Sequence, residues 1–290
     1  MKLKSCFSFS LLVFFLLSLL GAAPCRGEID PFFRPLAAKL ARSGFDEAWI
    51  ARLFESPCLT FSTRPMRLRL TVRESKINYA RYLETSAIEK SRRFLNAQGE
   101  ILALAERKTT VPGEIVTAIL LLETGFGEYM GRFPALQTLA SQAVADRPEV
   151  AAMVYNELSP EEKRRWTKEA AARRLAARVP WFMGELKALL VHLRETNADP
   201  CRVNGSYTGA IGFCQFQPSN LKPYGRDGNG DDVVDLFQIE DAIMSAANYL
   251  KGHGWRPGLD RDGKKAVLKR YNNSEPYART ILGVAELLAK

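Results

Sequence analysis

Ile115-Val116-Thr117-Ala118-Ile119-Leu120-Leu121-Leu122-Glu123-Thr124-Gly125-Phe126-Gly127 is the stretch on which the reading of this chain turns. Pro112 stands where a first helical turn would begin, and Gly125 and Gly127 end the segment. The residues between are apolar nearly all round, so the spacing predicts a central helix buried on every side. Val116, Ile119 and Leu120 lie seven, four and three positions before Glu123, so its carboxyl continues an apolar face. Desolvation there raises a carboxyl pKa, and the negative end of the helix dipole acts the same way. A glutamic acid that keeps its proton near neutral pH can protonate a departing glycosidic oxygen. The glycines that follow leave room for a substrate. A terminal glutamate can equally turn to solvent or pair with an arginine, and the helix alone does not choose between these readings.

Working outward, the rest of the chain also reads as helices. Pro35 to Arg42 and Asp46 to Glu55 form short amphipathic helices separated by Gly44. In residues 57–73, the alternation Arg67-Leu68-Arg69-Leu70-Thr71-Val72 is compatible with a short strand or an extended crossing segment. Ile77 to Arg107 is a long helical stretch broken near Gly99. Two or three helices fit between Ala135 and Asn156. Ser159-Pro160-Glu161-Glu162 is a capping box opening a basic helix through Arg178. Trp181 to Arg194, Asp241 to His253 and Ser274 to Leu288 complete the set, while residues 198–235, rich in Gly, Asn, Asp and Pro, form loop. The expectation is a mainly α body with a loop-rich insertion and little β structure.

The 290 residues carry a net charge of +9. Lys2 and Lys4 precede the apolar run Phe7 to Leu20 and the small residues Gly21, Ala22 and Ala23, the pattern of a secretory signal spanning residues 1–27. An uncleaved anchor is the alternative, and Cys25 is a further candidate for lipid attachment, although Pro24 fits that poorly. Removal of residues 1–27 leaves a charge of about +6. Such a chain can meet DNA, anionic lipid or an acidic cell-wall polymer. No zinc-finger spacing, basic-aromatic sheet motif or recognition helix points to nucleic acid. After cleavage Cys58, Cys201 and Cys214 remain. An oxidising compartment permits one disulfide, with Cys201–Cys214 the first choice because both flank one loop; three unpaired thiols are the alternative.

Several motifs in order make the chain recognisable. Glu123-Thr124-Gly125-Phe126-Gly127 with Met130-Gly131 is followed by Gly205-Ser206-Tyr207-Thr208-Gly209-Ala210-Ile211-Gly212-Phe213-Cys214-Gln215-Phe216-Gln217-Pro218-Ser219. Then come Ala247-Asn248-Tyr249-Leu250, His253-Gly254-Trp255, and Tyr271-Asn272-Asn273-Ser274 with Tyr277. From about Thr109 onward the chain resembles the membrane-bound lytic murein transglycosylase B family, and more weakly upstream. The resemblance implies a lysozyme-like core over 109–290 behind an N-terminal helical region, 28–108. It also implies cleavage of the β-1,4 bond between N-acetylmuramic acid and N-acetylglucosamine. Glu123 would be the single acid/base, and a 1,6-anhydromuramoyl end the product. Ser206, Gln215, Tyr249, Tyr271, Asn272 and Tyr277 are implied to bind glycan, and Thr208 and Phe213 to shape the loop. Structural bracing is the competing role for the six, most plausible for Tyr271. Peptidoglycan is the implied partner of an exported, periplasmic monomer.

The chain also departs from the family. An apparent insertion between about Val144 and Ala177 carries Lys163-Arg164-Arg165 and Arg173-Arg174, either a solvated face or a surface for anionic glycan or membrane. Past it, Arg178 and Trp181 take the places of a basic and an aromatic cleft residue. Cys214 replaces a small or apolar residue. Asp227-Gly228-Asn229-Gly230-Asp231 resembles the start of a calcium loop, with oxygen side chains at alternate positions, Val233 offering a carbonyl and Asp241 closing a longer version. Asp232 stands where glycine is usual, Gln238 where the closing glutamate would be, and a metal-free Asn/Asp/Gly turn is the alternative. Calcium here would be structural, and the chemistry needs no cofactor. A hydrolytic muramidase and a catalytically silent peptidoglycan-binding protein are the rival readings.

Overall fold

A computed structural model describes residues 27–72 and 77–290, so the expected signal segment and Cys25 lie outside the described residues. The chain runs α1 (Arg34–Arg42), α2 (Glu47–Phe54), α3 (Arg64–Thr71), a 3-10 helix (Tyr79–Leu83), α4 (Thr85–Ala97), α5 (Gly99–Thr109) and α6 (Gly113–Thr124). It continues through β1 (Phe133–Pro134), α7 (Ala135–Gln142), α8 (Pro148–Asn156), α9 (Pro160–Lys163), α10 (Lys168–Ala176), α11 (Val179–Thr196) and β2 (Asn204–Gly205). After a 3-10 turn (Pro218–Asn220) come α12 (Leu221–Tyr224), α13 (Ile239–Gly252), α14 (Arg261–Tyr271) and α15 (Glu275–Leu288). Among the described residues no helix is long and apolar enough to cross a membrane.

Helix α6 is the axis of the molecule. Ile115 through Leu121 are all buried, and α15, α4, α5 and α13 pack around them. The main core extends from Phe33 to Leu288 and so draws on both the 28–108 stretch and the remainder. The only sheet among the described residues is the antiparallel pair β1–β2, with Phe133 opposite Gly205 and Pro134 opposite Asn204. It forms where Gly131, at φ +95°, lets the two backbones meet: a Cβ there would lie 2.0 Å from the Gly205 carbonyl oxygen.

A smaller core joins α3, α8 and α10 through Met66, Leu70, Val150, Val154, Ala171 and Leu175. The alternating segment before Val72 is therefore a helix. Met66 and Leu70, four residues apart, face this second core, and the arginines between them turn elsewhere. The capping box at Ser159 forms, with Glu162 returning to the Ser159 N–H. It opens the short α9, and a separate helix, α10, starts at the Thr167 cap, so the basic segment is two helices where one was expected.

The disulfide is Cys58–Cys201, which overturns the expected Cys201–Cys214 pair. Cys214, within the loop after β2, is fully buried in the main core, while Cys201 lies outside that core and meets a cysteine 143 residues earlier. Burial pushes the Cys214 thiol up to about 12.

Candidate active site

The last turn of α6 presents Glu123. Part of its surface is open to a groove, but protein crowds the carboxyl on its other sides. This desolvation dominates and raises its pKa from 4.5 to about 7, although a hydrogen bond from the Tyr277 hydroxyl to Oε1, at 2.7 Å, acts the other way. Among the described residues no hydrogen bond reaches Oε2. Tyr277 is held in turn by sequence-local chemistry: Ser274 caps α15, and its hydroxyl accepts the Tyr277 N–H at 3.2 Å. Thus the segment from Tyr271 to Tyr277 ends one helix, starts the next, and places a buried hydroxyl on Glu123.

Behind Glu123 the chain makes an unusual turn. Gly125, Phe126 and Gly127 have φ of +59°, +65° and +92° in succession, and Phe126 is not a glycine. The Phe126 ring stacks on Phe94 of α4 at 4.2 Å, and Lys90 Nζ donates to the Gly125 carbonyl at 2.9 Å. The Thr124 hydroxyl donates to the Phe213 carbonyl at 2.9 Å and fastens the turn to the loop after β2.

That loop carries Ser206 and Gln215. Ser206 Oγ pairs with the Thr208 hydroxyl at 2.9 Å and accepts the N–H groups of Thr208 and Ala210, so it braces the loop. Gln215 sits at φ +48°, and its Nε2 donates to the carbonyls of Met130 and Gly212. No hydrogen bond among the described residues uses its Oε1. Tyr271 donates to the Cys214 carbonyl at 2.6 Å and Tyr249 to the Arg270 carbonyl at 2.7 Å. Their rings, 4.9 Å apart, pack with Phe216. These two hydroxyls are engaged as supports. The Glu123 charge acts to raise the pKa of Tyr271, Tyr277 and Cys214, and Tyr277 touches it. Asn272, the C-cap of α14, has a half-buried side chain with no hydrogen bond among the described residues.

Arg178 and Trp181 stand together at the start of α11, the guanidinium 5.6 Å from the indole centroid, and Trp181 is 36% exposed. No contact among the described residues joins them to Glu123. Arg69 of α3 lies nearby, its pKa lowered to about 10 by burial and by Arg174 and Arg178.

At 227–241 the side-chain oxygens serve the backbone. Asp227 accepts from Gly230 and Asp232, Asn229 from Asp231, and Asp231 from Val233. Fully buried Asp241 accepts from Gly228 and Asp235. Among the described residues no three acidic, histidine or cysteine side chains converge on a point that would hold a metal ion. Asp241 acts as a clamp on the loop.

Sequence reasoning missed the wall opposite the loop. Glu123 lines a 490 Å³ cavity with Arg81, Tyr82, Lys90, Glu128 and Tyr129. Three of these come from the segment some forty residues upstream, where no local pattern distinguishes a groove residue from a solvated one.

With this geometry in view, the comparisons with known proteins are decisive. Residues 28–264 match the Transglycosylase SLT domain family. The chain belongs to this family. The membrane-bound lytic murein transglycosylase B of Escherichia coli (strain K12) is 33% identical over 165 residues, a match spanning 57% of this chain and 38% of that protein. The fold is that of the E. coli lytic transglycosylase SLT35, solved in complex with calcium: TM-score 0.69, 22% identity, 91% of this chain and 95% of that one. SltB3 from Pseudomonas aeruginosa, solved with NAG-anhNAM-pentapeptide, shares it at TM-score 0.69 and 18% identity, over 89% of this chain and 78% of that one. The lysozyme-like helical architecture expected of an SLT family member is the one observed.

Proposed function

We propose that this chain is a lytic transglycosylase that cleaves the MurNAc-β-1,4-GlcNAc bond of peptidoglycan, with Glu123 as its single acid/base. The observation that carries this reading is the desolvated Glu123 carboxyl, which accepts a tyrosine hydroxyl on one oxygen and belongs to a residue lining a groove. Glu123 gives its proton to the GlcNAc O4 as the C1–O4 bond breaks. The Tyr277 hydroxyl then donates to the carboxylate and holds it in place. The C6 hydroxyl of the same muramoyl residue attacks C1 and yields its proton to Glu123. The acid is regenerated, the product ends in 1,6-anhydroMurNAc, and no water is consumed.

Several features support this reading. The Glu123 carboxyl is hydrogen-bonded by a tyrosine and by no second carboxyl, and the other acid lining its cavity, Glu128, is paired with Lys90. Gln215 Oε1 and the Asn272 side chain, both half-buried and without hydrogen bonds, suit sugar hydroxyls or acetamido groups. Ser206, Tyr249 and Tyr271 are proposed to shape the site, and Arg178 with Trp181 to extend it. The working unit is proposed to begin at 28, since α4 and the preceding 3-10 helix build one wall of the groove. The protein is proposed to be an exported periplasmic monomer, in keeping with the N-terminal sequence and the disulfide. Mass spectrometry of peptidoglycan digested by the mature protein tests the reading. Anhydro ends are expected; reducing ends would make it a hydrolase, and no products a binding protein.

A calcium ion at the 227–233 loop would serve the fold and not the reaction. Oxygen side chains at 227, 229 and 231 and the calcium complex of SLT35 support it, while the engaged Asp241 speaks against it. A lower thermal midpoint in chelator supports the ion, and an unchanged one removes it.

A further inference from the structure

The sugars of an intact peptidoglycan strand are neutral, because the muramoyl lactyl group is tied up in an amide. The strand's carboxylates belong to the stem peptide, which leaves the muramoyl ring next to the bond being cut. A site that prefers peptide-bearing strands therefore needs cations beside its catalytic acid. The cavity shared by Glu123 and the upstream wall has them.

Arg81 is exposed, forms no ion pair among the described residues, and holds its guanidinium 4.6 Å from the Tyr82 ring centroid while donating to the Tyr82 hydroxyl at 2.6 Å. Tyr129, 53% exposed and lining the same cavity, carries a second such pair. The Arg132 guanidinium lies 5.4 Å from its centroid and donates to its hydroxyl at 3.3 Å, again with no carboxylate partner. Lys90 is different: Glu128 neutralises it at 2.6 Å, and it is committed to the Gly125 carbonyl. Arg81 thus lines the cavity, and Arg132 stands on Tyr129, which also lines it. One hydrogen bond to a tyrosine hydroxyl holds each guanidinium and leaves its other N–H groups for a carboxylate.

We infer that the groove between the Tyr79–Leu83 helix, α4 and the turn after α6 binds the carboxylates of the muramoyl stem peptide through Arg81 and Arg132, making these two residues determinants of substrate choice. The inference rests on the proposed function.

The test uses two synthetic GlcNAc-MurNAc tetrasaccharides with the same stem peptides, one with free carboxylates and one with every carboxyl as a carboxamide. The mature protein is expected to show a higher kcat/KM on the charged strand. Arg81→Ala and Arg132→Ala are each expected to lower the charged-to-amidated ratio roughly three- to tenfold, and Arg81→Lys to retain part of it. Equal turnover of both strands by the unaltered protein, or a loss in the alanine variants that falls equally on both strands, overturns the inference. Binding of the two strands to Glu123→Gln, followed by calorimetry, decides the same question without turnover. Tighter binding of the charged strand supports the inference and equal affinity overturns it, whereas absence of anhydro product from either strand overturns the proposed activity alone.

Discussion

Glu123 is held in a state that costs the fold. Its folded pKa of about 7 lies above the 4.5 of a free side chain, so the folded protein favours the protonated acid. The stability linked to that proton is complete below 4.5 and is lost as pH rises through about 7. At pH 8 the carboxylate costs roughly 3 kcal/mol. Glu123→Gln should therefore abolish turnover and, in denaturant melts, gain roughly 2–3 kcal/mol over the parent at pH 8 but none at pH 4. Equal stability at both pH values would mean the carboxyl is solvated. Activity should fall as pH rises through about 7, where Glu123 loses the proton it must donate. Tyr277 opposes this shift by donating to the ionised form, so Tyr277→Phe should move the alkaline limb to higher pH while lowering kcat. A limb that stays in place would detach Tyr277 from the acid.

Among the elements, the turn after α6 matters most, because it joins the helix that carries Glu123 to the loop after β2 and to α4. Three successive positive φ angles are sustained there by the Phe94–Phe126 stack, the Lys90 bond and the tie from Thr124 to Phe213. Gly127 is where the loop after β2 presses in: a Cβ would lie 2.3 Å from the Phe213 ring, at φ +92°. Gly127→Ala should cost about 2 kcal/mol or more in a urea melt and reduce turnover by displacing that loop. A variant as stable and active as the parent would show that the turn yields freely.

At the scale of the whole molecule, Cys58–Cys201 links the α2–α3 connection to the segment before β2 across 143 residues. Closing so long a loop removes conformational entropy from the unfolded chain, worth about 3–5 kcal/mol. Reduction by dithiothreitol should therefore lower the thermal midpoint by several degrees, and an unchanged midpoint would mean the bond adds nothing. Cys214, buried with its thiol pushed up to about 12, should resist alkylation in the native protein and react only on unfolding.

Wherever short-range spacing sets the outcome, the sequence by itself determined it. The apolar run before Glu123 made α6 the buried centre, Ser159 and Ser274 opened their helices, and the glycines ended α6, because periodicity and capping act within a few residues. The raised pKa of Glu123 was legible because the apolar run of its own helix leads up to it. Only the tertiary structure decided what depends on distant parts of the chain. It paired Cys58 with Cys201, turned the Arg-Leu alternation into a helix by offering Met66 and Leu70 a second core, and engaged Asp241 within its loop. It also brought Tyr277 and the Arg81 wall to the same carboxyl from opposite directions in sequence. Packing between elements selects such partners, and that selection leaves no local pattern behind.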